Sequence, residues 1–187
     1  MPVKVGRLPK THLPVQIQMA GSGGQGLILA GIILADAAVR DGYRVTQTQS
    51  YGPEARGGAA SSEIIISAEP ITYPHVEKAD ILVALTRESC SKNLKNVSEN
   101  GLIVLDSELI ENVPHTRATL LSLPIVETAI NKFGREIVAN MVALGALNCI
   151  AGLVTWPSLE QAVREHVPES MRELNKLALE AGRMLAH

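Results

Sequence analysis

Aromatic side chains are scarce in this chain: one Phe, one Trp and three Tyr among 187 residues. A surface that stacks nucleobases needs several of these together, so single-stranded nucleic acid is excluded as a partner. Positive charge is not in excess. Seventeen Lys and Arg stand against nineteen Asp and Glu, a net charge of −2, whereas a protein that grips a phosphate backbone wants a basic face. Cysteine is limited to Cys90 and Cys149. The two form no C-x-x-C, so neither a four-thiolate iron–sulfur cluster nor a structural zinc site can be built from them alone. A disulfide framework is absent too, which fits a reducing, cytoplasmic compartment. The histidines (His12, His75, His115, His166 and His187) have no metal-ligand spacing. Neither Ser22 nor Ser50 sits in G-x-S-x-G, and no carboxylate pair stands out for acid–base work. No catalytic residue and no metal ligand is therefore assigned.

A secretory leader is not indicated, because the first fifteen residues contain Lys4, Arg7 and Lys10 but no apolar core. The uncharged run from Ile137 to Val154 is long enough to span a bilayer. Its Asn140, Asn148, Gly145 and Gly152, and its many alanines, fit a buried helix better.

What is present describes a globular α/β domain. Apolar residues make up 46% and charged residues 19%, and the length suits one core. The first fourteen residues read as a flexible start, and residues 15–187 as a single domain. Val15 to Met19 alternates as a strand does. A helix follows from Leu27 to about Arg40, with Leu27, Gly31, Leu34 and Ala38 on one face and Asp41-Gly42 at its end. Strands are expected over Arg44–Ser50, Glu63–Ser67, Asp80–Leu85 and Gly101–Leu105, the Ile64-Ile65-Ile66 run being buried on both faces. Thr86 caps a helix reaching about Val97. The fold class is α/β: a layered, mostly parallel sheet flanked by helices, with a helical C-terminal third. That third is expected to hold a long helix, Arg135 to Leu153, with a small-residue stripe at Ala139, Ala143 and Ala146. A helix capped by Ser158 and Gln161 follows. The last helix presents Met171, Leu174, Leu177, Ala181 and Met184 on one face.

Two stretches carry the chemistry. Gly21, Gly23 and Gly26 satisfy G-x-G-x-x-G between a strand and a helix, where bare backbone amides favour an anion. A dinucleotide site also wants a carboxylate near the end of the second strand. Here that strand reads Thr46-Gln-Thr-Gln-Ser50, without one, and a classical NAD site fails. Another phosphate-bearing ligand, a partner subunit, or simple tight packing of helix on strand remain as readings. The second stretch, Ser50-Tyr-Gly-Pro-Glu54-Ala-Arg56-Gly57-Gly58, suits no regular element. Arg56 either presents a planar guanidinium to a phosphate or carboxylate or pairs elsewhere in the fold.

Ile17-Gln-Met-Ala-Gly-Ser-Gly-Gly-Gln-Gly26 and Thr46-Gln-Thr-Gln-Ser-Tyr-Gly-Pro-Glu-Ala-Arg-Gly-Gly58, in that order, resemble the gamma subunit of the 2-oxoacid:ferredoxin oxidoreductases. Tyr73-Pro74, Asp80 to Ala84, and Val138 to Ala146 extend the likeness over all but the first fourteen residues. It is closest to the 2-oxoglutarate type. Indolepyruvate, pyruvate and branched-chain oxidoreductases are the alternatives, and a free-standing nucleotide-binding protein is the rival from another class. The resemblance implies a non-catalytic subunit in a hetero-oligomer with alpha and beta (thiamine-binding) subunits and a ferredoxin-like delta subunit. Thiamine diphosphate with its divalent metal and the iron–sulfur clusters would sit on those other chains, and electrons would leave to ferredoxin. The gamma module is implied to lie on the coenzyme A side. Gly21, Gly23, Gly24, Gln25 and Gly26 match the first family motif, and Arg56, Gly57 and Gly58 belong to the second. These eight are the expected binding residues, facing coenzyme A or a partner.

Overall fold

The computed structural model describes residues 13–52, 58–107 and 116–186. Among them, β1 (Val15–Ser22) leads through the glycine loop into α1 (Leu27–Arg40), which returns the chain to β2 (Arg44–Tyr51). β3 (Ala59–Ser67), β4 (Ala79–Ala84), α2 (Arg87–Asn93), β5 (Val97–Asp106) and β6 (Thr119–Leu123) follow. The helices α3 (Ile125–Phe133), α4 (Ala139–Ala151), α5 (Trp156–His166) and α6 (Arg172–Leu185) complete the described elements.

The six strands lie in the order β2-β3-β1-β4-β5-β6. β3 runs antiparallel to both neighbours, and β1, β4, β5 and β6 are mutually parallel. The α1 crossover carries the chain past one strand position, and β3 then fills the vacancy from the opposite direction. β1 and β2 consequently end at the same rim, which places the two motif loops side by side. The expected α/β class with a mostly parallel sheet holds.

Helices are shared unequally between the faces. Ile17, Met19, Ile64, Ile66, Ile81 and Val83 pack with Leu27, Leu34, Leu144, Leu147, Leu159 and Leu179 of α1, α4, α5 and α6 into one large core. The other face has a smaller cluster, in which Cys90 of α2 meets Leu82, Ala84, Ile103 and Leu105. Over β2, β3 and β1 this second face is polar. Thr48, Glu63 and Gln18 share one row of the register, and Thr46, Ile65 and Gln16 the next. The segment 70–77 is laid across it by hydrogen bonds from Thr46 to the Pro74 carbonyl, from the Val76 amide to Glu63, and from the Glu77 amide to Gln16. The Ile64-Ile65-Ile66 run is buried throughout, as expected.

Several local expectations are corrected. β1 runs on to Ser22, through Gly21, and β3 begins at Ala59. The helix capped by Thr86 is an α-helix only to Asn93; its capping partner is Ser89, and a 3-10 turn carries the chain to Asn96. The long helix divides into a 3-10 turn, Glu136–Val138, and α4. The alanine stripe is buried within the chain, but the closest approach belongs to glycines. A Cβ on Gly145 would lie 1.9 Å from the Leu179 carbonyl oxygen, and one on Gly182 would lie 1.9 Å from that of Val142.

Ser158 and Gln161 do not form a capping box. Thr155 is the N-cap of α5 and makes no capping bond of its own. Its amide and hydroxyl donate instead to Asp41 at 2.5 and 2.7 Å, and Ser158 donates to the same carboxylate at 2.5 Å. On α6 the buried residues are Asn175, Ala178, Leu179, Ala181 and Gly182, whereas Leu177 and Met184 are 50% and 62% exposed. The backbone contact with α4 rotates the helix away from the face its largest apolar residues suggest. Residues 1–12, most of the expected flexible start, lie outside the described residues; Leu13 packs against the core. No helix of the described residues is long and apolar enough to cross a membrane.

Candidate functional site

Strand order changes direction between β1 and β4, since β1 connects toward β2 while the chain after β4 runs to β5 and β6. In open α/β sheets the crevice outside the carboxyl ends at such a point is where ligands bind. A cleft of about 180 Å³ lies there, lined by Ala20, Gly21, Ser22, Ser50–Gly52, Ala59–Ser61 and, from α2 and its cap, Thr86, Glu88, Ser89, Lys92 and Asn93.

Small side chains make the floor. Ser50 pairs with Ser61, Ser61 with Ala20, and Ala20 with Ala84, giving one row of tiny residues across four strands. The hydroxyls of Ser22, Ser50 and Ser61 have no hydrogen-bond partner among the described residues and are available to a polar ligand. α2 forms the wall and is pinned to the sheet: Gln18 donates to the Asn93 amide oxygen at 3.1 Å, and Asn93 donates to the Ser89 carbonyl at 2.7 Å. Both side chains are buried, so breaking this bond leaves amides unpaired. Lys92 supplies positive charge at the exposed mouth, opposed by Glu88.

The glycine loop is largely occupied by its own chain. The Gln25 side-chain oxygen accepts from the Ser22 amide at 2.9 Å, and the Gln25 amide donates to the Ser22 carbonyl at 3.2 Å. A Cβ on Gly21 would lie 2.5 Å from that Gln25 oxygen and 2.7 Å from Leu27. Gly26, with φ 74°, accepts a hydrogen bond from buried Asn140 at 3.0 Å, and a Cβ there would fall 2.4 Å from the Asn140 nitrogen. Gly21 and Gly26 thus make room for side chains of this protein. Gly24 differs: it is exposed, with φ 97° and nothing within 4 Å of a Cβ.

The Gly23 amide donates to the Gly58 carbonyl at 2.6 Å and ties the two motifs together. Of the expected binding residues, Gly21, Gly23, Gly24, Gln25, Gly26 and Gly58 meet at one rim; Arg56 and Gly57 lie outside the described residues. Sequence reasoning missed Asn140 and the α2 wall. A buried amide in an uncharged helix demands a partner, and that demand pointed to Asn140. The α2 residues left no comparable signal, because their role depends on strand order.

Neither cysteine is poised as a nucleophile. Burial beneath α2 pushes the Cys90 thiol up. Burial also raises Cys149, with Arg183 pulling down and Glu180 pushing up. Among the described residues, no three His, Cys, Asp or Glu side chains lie together as metal ligands.

The sequence is 42% identical to the 2-oxoglutarate synthase subunit KorC of Methanocaldococcus jannaschii, over 89% of this chain and 91% of that one. It is 43% identical to the KorC subunit of Methanothermobacter marburgensis, over 91% and 95%. Among solved structures it is similar to the gamma subunit of a keto/oxoacid ferredoxin oxidoreductase from Geobacter sulfurreducens, with a TM-score of 0.82, 45% identity, and coverage of 92% of this chain and 98% of that one. With the pyruvate ferredoxin/flavodoxin oxidoreductase profile matching residues 16–185, the chain belongs to that family.

Proposed function

We propose that this chain is the gamma subunit of a 2-oxoglutarate:ferredoxin oxidoreductase. The complex would convert 2-oxoglutarate and coenzyme A to an acyl-coenzyme A and CO2, passing electrons to ferredoxin. The observation that carries the reading is identity above 40% with two KorC chains, over nearly the full length of both partners. Alpha and beta subunits and a ferredoxin-like delta subunit complete the assembly, in the cytoplasm. On them, thiamine diphosphate with its divalent metal supplies the carbanion stabilisation that decarboxylation needs, and iron–sulfur clusters carry the electrons.

This chain's part is binding and positioning. Coenzyme A carries phosphates on a polar, flexible arm. The cleft's chemistry fits a segment of that arm: three hydroxyls without a partner among the described residues, the cation of Lys92 at the mouth, and the exposed Gly24 of the adjoining loop. Arg56 and Gly57 precede Gly58 in the same family motif, and the Arg56 guanidinium is the proposed partner of a coenzyme A phosphate. A free-standing nucleotide-binding protein is disfavoured, because Gln25 and Asn140 occupy the space that Gly21 and Gly26 open and β2 ends without a carboxylate.

Co-expression with the thiamine-binding and cysteine-rich chains tests the reading. Reduction of ferredoxin should depend on 2-oxoglutarate, on coenzyme A and on this chain, with pyruvate and branched-chain 2-oxoacids turned over more slowly. Failure of this chain to join the complex, or faster turnover of pyruvate, would overturn it. Arg56→Ala should raise KM for coenzyme A in the intact complex; an unchanged KM removes Arg56 from the site.

A further inference from the structure

β2 ends the sheet on one side and is paired to β3 in unbroken register over eight residues. The Gly52 amide donates to the Ala59 carbonyl, which fixes the phase of the ladder. Bonded pairs alternate along antiparallel strands, so the backbone groups of Thr46, Thr48 and Ser50 turn toward β3. Those of Val45, Gln47, Gln49 and Tyr51 turn outward, and no backbone group of the described residues bonds them there. Proteins usually block such an edge with proline, a bulge or inward-pointing charge. β2 has none of these; its one charged residue, Arg44, stands at its first position.

The strand is also close to palindromic. Read about Thr48, Val45-Thr-Gln-Thr-Gln-Ser-Tyr51 matches Gln47 with Gln49, Thr46 with Ser50, and Val45 with Tyr51. Against an antiparallel second copy, this register sets all four outward residues opposite outward residues. A slip of one residue sets outward groups against inward ones, and a slip of two loses a pair. Tyr51, 67% exposed in the single chain, gains Val45 of the other copy as an apolar neighbour on the same face. Arg44 falls opposite Gly52, so no like charges meet.

We propose that the chain self-associates through β2, antiparallel and centred on Thr48, fusing two six-stranded sheets into one continuous sheet about a two-fold axis. Four bonded pairs at two bonds each give about eight backbone hydrogen bonds across the seam. Thr48 faces its own copy in a non-bonded pair, where Cα atoms are about 4.5 Å apart and a disulfide can close. Thr46 does not, since it lies four residues, about 13 Å, from its own counterpart.

The full-length chain, studied alone by light scattering and sedimentation, should show twice its 20.0 kDa mass. Thr48→Cys should cross-link to a dimer under mild oxidation while Thr46→Cys does not; the pair also controls for Cys90 and Cys149. Gln47→Lys with Gln49→Lys should weaken dimerisation at least tenfold. Gln47→Lys with Gln49→Glu, which sets opposite charges across the seam and loses the same bond from Gln47 to Ser62, should retain it. Circular dichroism on each variant confirms folding, and the cysteine pair stands if a lysine variant unfolds. A single-chain mass at about 100 µM, equal cross-linking by both cysteines, or a dimer undisturbed by two lysines would each overturn the proposal. The first of these would assign the open edge to a strand of another chain.

Discussion

Replacing Gly26 with alanine measures how firmly the glycine loop is committed to its own chain. The residue adopts φ 74°, and its missing Cβ leaves room for the Asn140 side chain, which donates to its carbonyl at 3.0 Å. Alanine in this left-handed conformation costs roughly 1–2 kcal/mol. Pushing Asn140 aside adds about 1–3 kcal/mol of overpacking, while the stiffer unfolded chain returns about 0.4–1 kcal/mol. The expected loss is about 1–5 kcal/mol, centred on about 3 kcal/mol. Asn140→Ala alone should cost about 1–3 kcal/mol, since it takes the side-chain acceptor from the buried Met141 amide and leaves the Gly26 carbonyl with the Ala30 amide alone. In that background, however, Gly26→Ala should cost only the backbone strain. The coupling between the two sites should therefore exceed about 1 kcal/mol, well above the few tenths typical of independent sites. Urea unfolding of the four proteins of the cycle, followed by circular dichroism and fluorescence, gives the number. Equal cost of Gly26→Ala with and without Asn140 would refute the packing argument and return Gly26 to a ligand. Gly24→Ala is the contrast: with no neighbour within 4 Å, it should cost strain alone, roughly 1–2 kcal/mol.

Gly182→Ala should destabilise the chain by about 2 kcal/mol or more because α4 and α6 must part, although helix propensity by itself favours alanine by about 1 kcal/mol; chemical denaturation gives the sign. Partial burial of Asp41 works to raise its pKa, but hydrogen bonds from Ser158 and from the amide and hydroxyl of Thr155 outweigh it and leave the pKa lowered. A depressed folded pKa means stability that is present above the unfolded value and lost as pH falls through the folded one. The stability gap between wild type and Asp41→Asn should therefore be constant above about pH 4 and shrink below it, as a series of denaturation curves at different pH would show. Lys92→Ala should raise KM for coenzyme A severalfold in the reconstituted complex with kcat little changed, and steady-state kinetics distinguish this from a loss of assembly.

Much of the fold was legible because its elements announce themselves. α1 carries apolar residues at helical spacing and stops at Asp41-Gly42, and Ile64-Ile65-Ile66 is long enough only for a strand buried on both sides. β6 and α3 were not anticipated, since Thr119–Leu123 is short and the N-cap of α3 is Pro124, whose side chain can make no capping bond; the Val126 amide donates instead to Asp106, 20 residues away. The face of α6 was misread because hydrophobicity ranks Leu177 and Met184 above Gly182, whereas contact between two backbones ranks the residue with no side chain first. The start of α5 was misassigned for a related reason: its cap comes from Asp41, 114 residues away from Thr155. At the site, the two motifs were visible, but their meeting was not. That depends on β3 returning between β2 and β1, a fact of strand order.

The uneven cladding of the sheet sets how this polypeptide fares before its complex exists. Thr46, Thr48 and Glu63 stay partly open on the more thinly covered side, where water can satisfy them, so a copy made in surplus has little sticky surface there to hide. Recognition on that side must be written in hydrogen-bond geometry, and it can be undone and corrected during assembly.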